Sequence, residues 1–157
     1  DGPLRNLRQA KAKSLVVEGR LRLLGPRIDV PEILANVFDL FLLTSIYEGL
    51  PLSVLEAQAA GLPCIISRSI TKECIVVQGL VQMLDLEAGP ERWALEVFEL
   101  SRSPRTGRTE ALSTMVASDF SIHKNVKELS RYYSALFSSA SREANLGHFS
   151  TCPVSIL

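Results

Sequence analysis

An α/β fold built on a parallel sheet is predicted by three observations. Two short apolar runs, Leu40-Phe41-Leu42-Leu43 and Pro63-Cys64-Ile65-Ile66, do not alternate, which is how strands covered on both faces read. Between them a polar, Gly/Pro-containing turn from Thr44 to Pro51 leads into a helix-forming block from Leu52 to Ala60. Gly61 then stops that helix as a C′ residue. A strand–turn–helix–strand unit of this kind makes its two strands parallel, and function in such sheets gathers where strands end and helices begin.

Taken in order, Pro3 to about Lys13 reads as a helix. Leu4, Leu7, Ala10 and Leu15 recur near helical spacing, and Arg5, Arg8, Lys11 and Lys13 between them make a solvated face. Arg20 to Leu24 reads as a strand closed by Gly25, and Arg27, Ile28 and Asp29 as the next turn. Pro31 opens a short helix through Ala35 with Val30, Ile33 and Leu34 facing inward. In the central helix Pro51 suits the first helical position. Ser67 to Glu73 is a loop, where a helix cap at Ser69 or Thr71 is preferred over hydroxyl contacts to a ligand.

Leu80 to Leu86 forms a late strand. Gly89-Pro90 opens a helix carrying Trp93, Ala94, Val97, Phe98 and Leu100, with Trp93 in the core rather than acting as a stacking platform for a ligand. After a polar turn from Ser101 to Arg108, Glu110 to Ala117 is helical. Asp119-Phe120-Ser121 starts the last helix, on which Ile122, Val126, Leu129, Tyr133 and Leu136 share one face. The folded domain is expected over 1–137, with 138–157 a tail of low order. His148 and Cys152 in that tail do not read as metal ligands, and His123 reads as a surface residue.

Composition narrows the class. The 157 residues are enough for one domain with its own core, and 46% apolar with 22% charged residues is ordinary for a globular chain. Seventeen basic residues balance seventeen acidic ones, which argues against a dedicated nucleic-acid binder. No apolar run approaches the ~20 residues that span a bilayer. Cys64, Cys74 and Cys152 show no metal-type spacing, so a reducing, cytoplasmic setting is expected.

The chemistry points to the central unit. Glu48 sits in its turn and Glu56 about one turn inside its helix. Between them Gly49 allows close approach to the backbone, and the free N–H groups of the helix start form an anion site. An anion cradle with a carboxylate on each side suits a ligand bearing phosphate and several hydroxyls, such as a nucleotide sugar.

These residues carry a family resemblance. Glu48 and Glu56 match the glutamate–seven residues–glutamate signature of retaining glycosyltransferases with the GT-B fold. Tyr47-Glu48-Gly49-Leu50-Pro51 and Glu56-Ala57-Gln58-Ala59-Ala60-Gly61-Leu62-Pro63 resemble glycosyltransferase family 4 more specifically. Asp1-Gly2-Pro3-Leu4-Arg5 and Leu24-Gly25-Pro26-Arg27-Ile28-Asp29-Val30-Pro31-Glu32-Ile33-Leu34 are similar to the same family. The resemblance covers roughly Asp1 to Phe137 and fades after Ile75. It is strongest to transferases that build capsular and exopolysaccharides. The loop after Ile66 departs from it: many relatives have a glycine pair there, and this chain has none but keeps Glu73.

The resemblance implies a Rossmann-like doubly wound parallel sheet, the C-terminal half of a GT-B glycosyltransferase truncated at its N-terminus. It implies a donor-binding domain that takes a nucleotide-diphosphate sugar for retaining transfer to a saccharide or lipid-linked acceptor. UDP-linked donors come ahead of GDP-linked ones, and no metal or other cofactor is implied. By the same resemblance Glu48 is the catalytic-site residue that orients the donor sugar. Gly49, Leu50, Pro51 and Leu52 line the sugar and phosphates, and Glu56 accepts from the ribose hydroxyls. Arg27, Ile28 and Val30 are candidate base contacts, with an Arg27–Asp29 surface pair the equal alternative for the side chains.

The implied partner is an acceptor-side domain of the same protein, onto which the last helix crosses. A basic pair gripping the diphosphate is expected upstream of Asp1, and the fragment alone is expected to be inactive. A cytoplasmic location follows, with peripheral association at the inner membrane face. The competing readings are a non-catalytic nucleotide-sugar-binding module and a structural or interaction domain of the same fold. A dinucleotide or P-loop binder is disfavoured because no such glycine fingerprint occurs.

Overall fold

The computed structural model of the chain describes residues 3–102 and 107–144. Three parallel strands, β1 (Phe41–Leu43), β2 (Cys64–Ser67) and β3 (Val81–Leu84), form a sheet in that order. The register aligns Phe41, Cys64 and Val81, then Leu42, Ile65 and Gln82, then Leu43, Ile66 and Met83. Alternation sends these rows to opposite faces. Cys64 and Ile66, with Phe41, Leu43, Val81 and Met83 beside them, join the core that includes Val54, Leu55 and Ala57 of α4 (Leu52–Ala59). On the other face, the Gln82 amide donates to Glu96 of α5 (Gly89–Ser101) at 2.6 Å. Helices therefore cover both faces, and the sheet is doubly wound as predicted.

The α4 face holds the larger core. Helices α3 (Val30–Asn36) and α6 (Arg108–Ala117) flank α4 and contribute Leu34, Ala111 and Met115. Burying a side chain such as Leu62, which is 1% exposed, contributes roughly 1.5–3 kcal/mol. Gln58, on the same helix, is fully buried and fully bonded. Its amide nitrogen donates to the carbonyls of Val54 at 3.1 Å and Cys74 at 2.6 Å. Its carbonyl oxygen accepts from the N–H groups of Val76 and Val77, each at 2.9 Å. The crossover from β2 to β3, which contains only a short 3-10 turn at Lys72–Cys74, is thus tied to α4.

The ends of α4 follow from their residues. Pro51 is the N-cap, in extended backbone at φ −75 and ψ 92, one position before the helical site predicted for it. At the far end Gly61 takes φ 73. Its N–H reaches the Gln58 carbonyl at 2.9 Å, and the Leu62 N–H reaches that of Ala57 at 3.0 Å, a Schellman ending.

Four expectations are corrected. The N-terminal helix is two pieces, α1 (Arg5–Lys11) and α2 (Lys13–Val17); Leu4, Leu7 and Leu15 are exposed, so no packed face holds one rod. Residues 20–24 form no strand. A strand needs a ladder partner, and Leu23 and Leu24 are exposed instead. β1 is an edge strand, so Leu42 is 46% exposed rather than covered on both faces. Val30 begins α3 but is exposed; the helix meets α4 through Leu34, and Val30, a turn nearer its start, overhangs.

The last helix, α7 (Ile122–Ala144), starts at Ser121, whose carbonyl accepts the Asn125 N–H at 3.0 Å, and continues past residue 137. Its apolar stripe, Ile122, Val126, Leu129, Tyr133 and Leu136, is exposed. His148 and Cys152 lie outside the described residues.

Candidate functional site

Glu48 lies in the turn after β1, and Glu56 lies one turn inside the helix that follows it. β1 ends at Leu43, and the chain turns through Ser45–Pro51 directly into α4. This is the carboxyl end of a parallel strand, where ligands bind in open α/β sheets. Glu48 is half-buried in the turn, and the Ser45 hydroxyl donates to its carboxylate at 2.8 Å. Gly49, Leu50 and Leu52 are exposed around it, while Pro51 is buried. A Cβ placed on Gly49 would meet nothing within 4 Å, so packing within the chain does not demand glycine there.

Leu52 and Ser53 occupy the first turn of α4, whose N–H groups have no carbonyl partner inside the helix. Val54 N–H is used locally, on the Pro51 carbonyl at 3.0 Å. Glu56 lies one turn further, on the exposed side of α4. There it borders a cleft of about 200 Å³ with Pro31, Ala59, Ala60, Arg108 and Leu112. The structure thus sets Glu56 beside the start of α3, next in sequence to the Arg27–Val30 turn. Glu48 is not part of that cleft's lining.

In the Arg27–Val30 turn the surface pair is what forms. Arg27 grips Asp29 with two donors, Nε at 2.7 Å to Oδ1 and a terminal nitrogen to Oδ2. That hydrogen bond holds the Asp29 carboxyl below its usual range and raises Arg27. Ile28 is fully exposed.

Other candidates resolve as structural. Trp93 is 7% exposed, and its indole N–H donates to the Asp85 carbonyl at 3.0 Å, as core packing predicted. Thr71 caps the 3-10 turn by accepting the Glu73 N–H at 3.3 Å, and buried Ser67 accepts the Ser69 N–H at 3.2 Å. Glu96, also buried, is held by Gln82 and Arg92. A larger cleft of about 480 Å³ runs between β1 and α5, lined by Leu42, Thr44, Trp93 and Val97 among others. No titratable side chain lines it, so it lacks the groups for glycosyl chemistry. Among the described residues no three His, Cys, Asp or Glu side chains cluster to hold a metal ion. Nor is any helix there long and apolar enough to cross a membrane.

Sequence reasoning missed Ser45, Gln58 and Arg108. A serine three positions before the turn glutamate was a usable signal for the first. A polar residue at the buried spacing of α4 was one for the second. Arg108 carried no local signal, because tertiary packing brings α6 to α4.

Residues 1–102 match the family described as Glycosyl transferases group 1. The chain is 34% identical over 133 residues to "Putative glycosyltransferase EpsF" of Bacillus subtilis (strain 168), covering 85% of this chain and 34% of that protein. It is 46% identical over 77 residues to a UDP-Gal:alpha-D-GlcNAc-diphosphoundecaprenol alpha-1,3-galactosyltransferase of Escherichia coli, covering 48% of this chain and 20% of that one. The chain therefore spans about a third of the length of the first relative and about a fifth of the second.

Proposed function

The chain belongs to the group 1 glycosyltransferases, and from that premise we propose that it is the donor-binding part of a retaining transferase in polysaccharide synthesis. The observation that carries the reading is the placement of Glu48 before and Glu56 after the start of α4, the helix entered from the carboxyl end of β1. In this reading the ribose hydroxyls donate to Glu56. Glu48, steadied by Ser45, orients the donor sugar, and the backbone of Gly49–Leu52 lines the sugar and diphosphate. The bare Gly49 is accounted for by a ligand approaching its backbone. The first-turn N–H groups stabilise negative charge as it develops on the leaving diphosphate.

A UDP-linked donor is our first choice, ahead of GDP-linked ones. The galactosyltransferase relative is named for a UDP-sugar and for a lipid-diphosphate acceptor. In this reading the acceptor is of that class, and the chain works at the inner face of the cell membrane. The acceptor hydroxyl and the handling of its proton fall to the rest of the longer protein, and no metal takes part.

Ligand-observed NMR titration of the purified chain with UDP, GDP and ADP tests this, with Glu56→Ala alongside. A hydrogen bond to a charged group contributes roughly 1.5–3 kcal/mol, so Glu56→Ala is expected to weaken the preferred nucleotide by about tenfold to a hundredfold. Equal affinity in parent and variant would remove Glu56 from the ribose. No nucleotide binding by the parent would overturn the donor-binding reading of this chain.

A further inference from the structure

The ribose assignment leaves unexplained the arginine that shares the cleft of Glu56. The cleft that Glu56 borders measures about 200 Å³, below the roughly 300–1,000 Å³ of pockets that take a whole drug-sized ligand. It suits one end of a ligand. Pro31, Ala59, Ala60 and Leu112 give it apolar walls, and Glu56 and Arg108 are its two charged groups. Among the described residues neither charged side chain makes a hydrogen bond or ion pair. Arg108 is also poorly placed for its own helix. It is the first residue of α6, with Gly107 as N-cap, and the positive end of the helix dipole disfavours a cation there. Neither the fold nor its own helix accounts for the Arg108 side chain at this cleft.

We infer that Arg108 reads the nucleotide base. Resting on the reading of Glu56 given above, the ribose sits against Glu56 and the base lies over the apolar walls. The Arg108 guanidinium, with its fixed fork of donors, gives a hydrogen bond to a carbonyl oxygen of the base. Uracil and guanine carry such an oxygen and adenine does not. Arg108 is therefore a specificity-determining residue that favours UDP- or GDP-linked donors over ADP-linked ones.

The test titrates UDP, GDP, ADP and inorganic pyrophosphate against the purified chain, Arg108→Ala and Arg108→Gln, with thermal melts of each. The expected result is that both variants weaken UDP or GDP, whichever the parent prefers, by about tenfold. ADP should change less than twofold, pyrophosphate should not change, and the melting temperature should be equal or higher. A merely structural Arg108 would lower the melt and weaken all nucleotides together. Equal loss for ADP, or a matching loss for pyrophosphate, overturns base reading in favour of a general or phosphate contact. If Glu56→Ala weakens binding and neither Arg108 variant does, this inference alone falls. If the parent binds no nucleotide, it falls together with the reading it rests on.

Discussion

Replacing Gln58 by leucine keeps a buried side chain of similar size and removes the hydrogen bonds to Val54, Cys74, Val76 and Val77. The N–H groups of Val76 and Val77 and the carbonyl of Cys74 then lose their partner, at about 1–3 kcal/mol for each group left unsatisfied in the interior. Gln58→Leu is therefore expected to lower stability by at least about 2 kcal/mol in urea denaturation. It should also strip hydrogen-exchange protection from the Val76 and Val77 amides first. Unchanged protection there would mean that the crossover is held by its apolar contacts, such as Val77, rather than by Gln58. Ser45 plays a comparable part for Glu48, fixing a carboxylate that would otherwise be one exposed turn residue among several.

At the scale of elements, α4 owes its end to Gly61. An L side chain in that left-handed conformation, at φ 73, costs about 1–2 kcal/mol. Gly61→Ala should lower the melting temperature by roughly 2–4 °C per kcal/mol for a chain of this size. A melt equal to the parent's would show that the Schellman ending relaxes without strain. This helix and its two strands were legible because several local signals agree over one stretch: an apolar run, a turn, a stop glycine and a second apolar run.

Where only a distant partner decides, legibility failed. Arg20 to Leu24 reads locally as a strand, but pairing is a non-local property, and no ladder forms along it. Leu42 reads as buried from its neighbours and is exposed because β1 is an edge. The same limit governs the site. Glu48, Gly49 and Glu56 belong to one local string, whereas Arg108 joins the Glu56 cleft only through the packing of α6 on α4.

For the whole molecule, the core is sealed around two thiols, and this makes stability depend on pH. Burial pushes Cys64 up to about 12 from its ordinary 9.0, with nearby Cys74 adding to the shift, and burial raises Cys74 as well. A group whose folded pKa is raised stabilises the fold fully below its unfolded value and loses that contribution as pH climbs toward the folded one. The urea midpoint should therefore hold up to about pH 9 and fall between there and about pH 12. The fall should be shallower in Cys64→Ala, which has one fewer thiol to ionise on unfolding. Parallel pH profiles for the two proteins would show that other groups govern alkaline unfolding.

Helix α7 is the longest helix among the described residues. Its 23 residues extend ~34 Å at 1.5 Å per residue, whereas the longest strands, of four residues, measure only ~13 Å. A rod that long acts as a lever. Tilting by ~10° about Ser121 would sweep its far end through ~6 Å over that ~34 Å length. A sub-ångström adjustment near the root would thus be delivered as a displacement of several ångströms to whatever rests on the exposed stripe of Val126, Leu129 and Tyr133.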